Sequence, residues 1–126
     1  MSIAGIGVDL ADLDRVSRLY ERRGEAFASK WFTPTEIAQS LVTANPGRSL
    51  ALRFCAKEAV WKALGVSAGG PLEWRAIAVL DGAGQQLEVE LSGAILSAAS
   101  RRGIRDVRVA VDRSGPIVVA IATATT

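Results

Sequence analysis

"RFCAKEAVWKALG", residues 53–65, is the segment on which the reading of the fold turns. Wound at about 100° per residue, it gathers Leu52, Cys55, Ala56, Ala59, Val60, Ala63 and Leu64 on one side, an ordinary buried stripe. The other side carries Arg53, Lys57, Trp61, Phe54, Glu58 and Lys62, in that order around the circumference. A solvated helix face seldom interleaves two large aromatics with three cations and a carboxylate. The segment therefore predicts a long central helix, with one side in the core and the other toward an anionic, partly flat ligand. Ser49 is placed to cap it and Gly65 to end it.

The flanking sequence supplies the rest of an α+β fold. Residues 3–10, "IAGIGVDL", predict a short buried strand ending in an acid. "ADLDRVSRLYERRG" has helical spacing with Gly24 as its stop, and a shorter helix follows over residues 25–30. "TPTEIAQSLV" has a strong helix start, with Thr33 as N-cap, Pro34 at the first position and Glu36 closing a capping box. "TANPG" breaks the chain before the central helix. Beyond it, "RAIAVL" and "QLEVELS" around "DGAG" predict a hairpin, "GAILSAASRRG" a helix, and "DVRVAV" with "IVVAIATA" two more strands. No repeat or long linker divides the 126 residues, so a single domain with a mainly antiparallel sheet packed against helices is expected.

Composition narrows the chemistry. A formal charge of +2, with cations spread along the chain, suits a modest anionic ligand and does not imply nucleic acid. The absence of histidine excludes His-based zinc sites, Ser–His–Asp hydrolysis and histidine general bases. Any catalysis then runs on carboxylates, lysines or a metal with oxygen ligands. No apolar run approaches a membrane span, no secretory signal is evident, and the one cysteine lies on a core-facing position. A cytoplasmic location is expected, with no membrane association.

Two acids stand out. Asp9 ends a strand, where a carboxylate serves either as a helix cap, a role open to Asp12 as well, or as a ligand. Glu58 forms a favourable i,i+4 pair with Lys62, but Arg53 and Lys57 are a like-charged i,i+4 pair on the same half of the helix. Cations beside an acid and two rings fit a nucleotide with phosphates better than bulk water.

Gly7-Val8-Asp9, followed by Phe54-Cys55-Ala56-Lys57-Glu58-Ala59-Val60-Trp61-Lys62, resembles the holo-(acyl-carrier-protein) synthase family of 4′-phosphopantetheinyl transferases. That family is marked by a G-x-D near the N-terminus and an F/W-x-x-K-E-x-x-x-K helix, and length, element order and "FTPTEIA" agree as well. The resemblance implies transfer of 4′-phosphopantetheine from coenzyme A to a serine of an acyl carrier protein. It makes Asp9 and Glu58 magnesium ligands, Lys57 and Lys62 phosphate ligands, and Lys62 a stabiliser of the leaving oxygen. It further implies that Arg53 reaches an adenosine phosphate, that Arg15 contacts the acidic carrier protein, and that a homotrimer places sites at subunit interfaces. On that reading Phe54 and Trp61 pack against coenzyme A or a neighbouring subunit.

One family feature is missing. The usual H-V-S-(L)-(S/T)-H strand corresponds here to Asp106-Val107-Arg108-Val109-Ala110-Val111, followed by Asp112. Arg108 retains a possible phosphate contact, Val111 offers nothing polar, and Asp112 is a candidate stand-in. Three functions follow from this: an active transferase, a catalytically impaired relative that binds coenzyme A or a carrier protein, or a partner subunit completing another protein's site.

Overall fold

The structure is a computed structural model and describes residues 1–67, 70 and 72–126. Strand β1 (Ile3–Asp12) leads into helices α1 (Leu13–Trp31), α2 (Pro34–Leu41) and α3 (Pro46–Leu64). A 3₁₀ turn at Trp74–Ala76 precedes the hairpin β2 (Ile77–Asp81) and β3 (Leu87–Leu91). Helix α4 (Gly93–Arg101) and the hairpin β4 (Asp106–Ser114) and β5 (Ile117–Thr125) complete the chain. This is the α+β order expected from the sequence. The strands form two antiparallel sheets, β1-β5-β4 and β2-β3.

Local chemistry explains most boundaries. Both halves of the capping box at α2 are formed: Glu36 N donates to Thr33 Oγ1 at 3.2 Å and Thr33 N to Glu36 Oε1 at 3.0 Å. Asp12, and not Asp9, caps α1, its Oδ1 accepting from Asp14 N. Gly24 bends α1 at φ 65°, which is why the sequence reads as two helices there. Helix α3 starts earlier than expected, since Asn45 caps it through Arg48 N and Pro46 takes the first position. Ser49 is therefore interior to the helix. Gly65 ends it in the left-handed region, at φ 58°.

The sheet is unusual in where it puts bulk. β1 is not the buried strand expected: Ile6, Val8 and Leu10 face outward and are 59%, 51% and 68% exposed. Its inner face is Gly5, Gly7, Asp9 and Ala11, paired with Ala124, Ala122, Ala120 and Val118 of β5. Those four β5 residues are fully buried. The inner residues are small because α3 lies directly on them. A Cβ added at Gly5 would sit 1.9 Å from the Ala63 carbonyl oxygen, and one at Gly7 1.9 Å from that of Ala59. Glycine is required at both positions by this approach of backbone to backbone.

Helix α3 is surrounded on its other sides by α1, α2 and β2. The division into a core half and a ligand half thus fails for its first half, where Arg53 and Lys57 are buried alongside the aliphatic stripe. Phe54 is likewise accounted for within the chain. It packs on Trp31, Phe32 and Trp74 with ring centroids 5.7, 6.4 and 5.1 Å away. Trp61 meets Trp74 edge-on at 5.9 Å and stays 40% exposed.

Candidate active site

The close approach of α3 to β1 brings Asp9, Glu58 and Lys62 together. Asp9 points from the inner face of β1, and Glu58 and Lys62 are one turn apart on α3. Lys62 Nζ donates to Asp9 Oδ1 at 3.0 Å and to the Val8 carbonyl at 3.1 Å. Its side chain is 47% exposed while that of Asp9 is 13% exposed. Lys62 therefore forms the solvent edge of the cluster and Asp9 its floor.

Glu58 titrates above its ordinary value. Burial is the main cause, and the Asp9 charge adds to it, whereas Lys62 acts in the opposite sense. A hydrogen bond between Glu58 and Asp9 also holds the proton on Glu58. Beneath them lies Cys55, 1% exposed, whose thiol pKa is pushed up to about 12 by burial, by the Asp9 charge and by a hydrogen bond to Asp9. It is a neutral thiol and not a nucleophile.

Two neighbouring carboxyl groups make a donor set for a hard divalent cation. Among the described residues there is no group of three or more His, Cys, Asp or Glu arranged to hold a metal. Asp9 and Glu58 would contribute two carboxylates and leave the remaining positions to water or phosphate oxygens. That donor set suits magnesium, which keeps several waters and takes one or two carboxylates plus substrate phosphates.

The structure corrects two of the expected phosphate ligands. Lys57 is fully buried and its ammonium group is fully used, donating to Glu36 Oε1 at 2.7 Å, Ile77 O at 2.7 Å and Trp74 O at 3.0 Å. Burial lowers its pKa, and the Glu36 carboxylate opposes that effect. Arg53 is 3% exposed and equally committed. It donates to Asp81 Oδ1 at 2.8 Å, Val79 O at 2.6 Å, Ser40 Oγ at 3.1 Å and Gln39 Oε1 at 3.2 Å. Lys57 has no donor left for coenzyme A, and Arg53 spends four of its five within the chain while buried. Both fasten α3 to α2 and β2. Their partners Glu36 and Asp81 were missed because they lie far along the chain, beyond any helical-wheel argument.

Strand alternation separates the two residues of interest on β4. Arg108 lies opposite Thr123, which in turn lies opposite Ile6, on the outer face of the sheet. Its side chain is 83% exposed and paired with Asp106 at 2.8 Å. It does not join Asp9 and Glu58 within one chain. Asp112 shares that outer face, opposite Val119, so it too does not join Asp9 and Glu58 within one chain. Val111 is on the inner face, in the row Asp9–Ala120–Val111, two strands or about 10 Å from Asp9. Arg15 is exposed on α1, as are Arg18 and Arg22 at helical spacing on the same side.

Comparison with known proteins gives the family. Residues 5–121 match the 4′-phosphopantetheinyl transferase superfamily. The chain is 36% identical over 118 residues to a holo-[acyl-carrier-protein] synthase of Chlorobium limicola, covering 92% of this chain and 90% of the relative. It is 36% identical over 120 residues to that of Chlamydia trachomatis serovar D, covering 95% and 98%. The crystal structure of holo-[acyl-carrier-protein] synthase from Neisseria meningitidis superposes with a TM-score of 0.86 at 32% identity, covering 99% of this chain and all 100% of that one. The chain belongs to the 4′-phosphopantetheinyl transferase superfamily and is an enzyme of its holo-(acyl-carrier-protein) synthase type.

Proposed function

We propose that this chain, as one 4′-phosphopantetheinyl transferase domain over residues 1–126, moves 4′-phosphopantetheine from coenzyme A to a serine of an acyl carrier protein. The observation that carries the reading is the Asp9–Glu58 carboxyl pair with Lys62 at its solvent edge. Asp9 and Glu58 would hold magnesium, which supplies positive charge against the coenzyme A pyrophosphate. The serine oxygen forms a new bond to the phosphorus carrying the pantetheine arm as the bond to adenosine 3′,5′-bisphosphate breaks, and the serine proton passes to water. Such a transfer asks the protein mainly for positioning and charge. Lys62, half exposed and held by two acceptors among the described residues, swings onto the departing phosphate when substrate competes with Asp9.

The exposed Arg15, Arg18 and Arg22 row would dock an acidic carrier protein. Self-association into a homotrimer is supported by the outer face of the sheet, where Ile6, Val8, Leu10, Ile117 and Ile121 are all more than 40% exposed. Arg108 lies on that same face, so a neighbouring copy would bring it to coenzyme A. A cytoplasmic location fits the lone buried cysteine. Among the described residues no helix is long and apolar enough to cross a membrane.

Val111 favours a second reading, an impaired relative that binds coenzyme A or a carrier protein without transfer. It places a methyl pair on the inner-face row of Asp9, where the family usually has histidine. Intact-protein mass spectrometry of carrier proteins from the same cell separates the two. A gain of one phosphopantetheine with coenzyme A and magnesium supports transfer. Coenzyme A binding with no mass gain on any carrier protein would replace it with the binding reading.

A further inference from the structure

The buried Glu36–Lys57 pair has no part in the chemistry just described, yet it is heavily bonded within the core. Both side chains are 0% exposed. Lys57 uses its three donors on Glu36, Trp74 O and Ile77 O, and its ammonium also lies 5.1 Å from the Phe32 ring centroid. Glu36 Oε1 accepts from Thr33 N as well, and Oε2 accepts from Val79 N at 3.0 Å. One ion pair therefore ties the start of α2, the middle of α3, the 3₁₀ turn and β2 to each other.

We infer that Glu36 and Lys57 are positioning residues that set the rotation of α3 about its axis, and through it the placement of Glu58 and Lys62 against Asp9. The inference rests on the reading of those three residues as the reactive site. Its physical basis is the contact between α3 and the sheet. On that side α3 offers Ala59 and Ala63 to Gly5, Gly7 and the alanines of β5. Such a surface fixes how near the helix comes, but it has few knobs to resist rotation. Lys57 is the knob. Its neighbour in sequence is Glu58, about 100° around the helix. A rotation of about 20°, at the roughly 6 Å radius of a helical side chain, would move the Glu58 carboxylate about 2 Å. Displacements of that size cost on the order of 10²-fold in positioned reactions.

The test compares Glu36→Gln with wild type and with Ile95→Ala, a core truncation on α4 that lowers thermal stability without touching the pair. Positioning predicts that Glu36→Gln lowers kcat for transfer about 10- to 100-fold. The KM for coenzyme A changes less than about threefold, and Mn²⁺ affinity at Asp9–Glu58, measured by calorimetry, falls at least about tenfold. Ile95→Ala should lose stability and keep all three. The double variant Glu36→Gln/Lys57→Met, in which both charges of the pair are removed, should regain thermal stability and not kcat. If Glu36→Gln melts lower but keeps kcat and Mn²⁺ affinity, the pair is a fold element only and the inference is overturned. If coenzyme A binds more tightly to Glu36→Gln, Lys57 is a released phosphate ligand, which also overturns it. The Trp61 indole resonance in NMR spectra reports the rotation of α3 without any ligand. If wild type neither transfers nor binds Mn²⁺, the transferase reading falls while a shifted indole in Glu36→Gln, absent in Ile95→Ala, still supports the positioning. An unshifted indole overturns it.

Discussion

Replacing Gly7 with alanine drives a methyl group into the backbone of α3. The added Cβ would lie 1.9 Å from Ala59 O, 2.6 Å from Ala63 N and 2.9 Å from Lys62 Cβ. Ordinary contact begins near 3.4 Å, so strand and helix must separate by about 1.5 Å. Two of the three neighbours are backbone atoms with no rotamer to escape through. The cost therefore belongs at or above the top of the usual overpacking range, about 3 kcal/mol. For a chain of this size that is a fall in Tm of roughly 10 °C. The same displacement pulls Glu58 from Asp9, so magnesium-dependent transfer should fall about 10²-fold even at temperatures where the variant stays folded. Thermal melting, Mn²⁺ calorimetry and transfer kinetics on one preparation check all three. Gly7→Ala with unchanged Tm and metal affinity would refute the close approach of β1 to α3, and with it the account of why the site assembles.

Glu58 titrates above its ordinary value in the folded chain, so the folded state holds its proton more tightly than the unfolded state does. Stability without metal should fall as pH rises from the ordinary glutamate value through the raised one, and Glu58→Gln should flatten that fall in urea titrations. Cys55, with its thiol pushed up to about 12, should resist thiol reagents at pH 8 until the chain is unfolded. Stability should also decline above pH 9, less steeply in Cys55→Ala. Lys62→Ala should change stability by less than about 1 kcal/mol, since its pair is half exposed, yet slow transfer strongly. Lys57→Met should instead cost about 3–5 kcal/mol by leaving Glu36 charged, buried and unpaired. Chemical denaturation measures both values, and equal losses in the two variants would contradict their different placement.

What the sequence alone determined was local or periodic. Thr33, Pro34 and Glu36 form a capping box within four residues, so the start of α2 needs no tertiary information. The element order followed from period and turn residues, and the spacing of Glu58 and Lys62 from one helical turn. The same wheel misjudged Arg53 and Lys57. A charged side chain goes inside only when distant partners meet it, and Glu36 and Asp81 are supplied by other elements. Tertiary structure also decided the faces of β1. Alternation shows that Ile6, Val8 and Leu10 share a side, but not that this side is outward. That choice follows from α3, which needs glycine and alanine beneath it, and leaves the large aliphatic side chains of β1 to the outer face. The meeting of Asp9 with Glu58 is a consequence of the same packing. Their distance apart in sequence says nothing of it, and the missing methyl groups at Gly5 and Gly7 permit it.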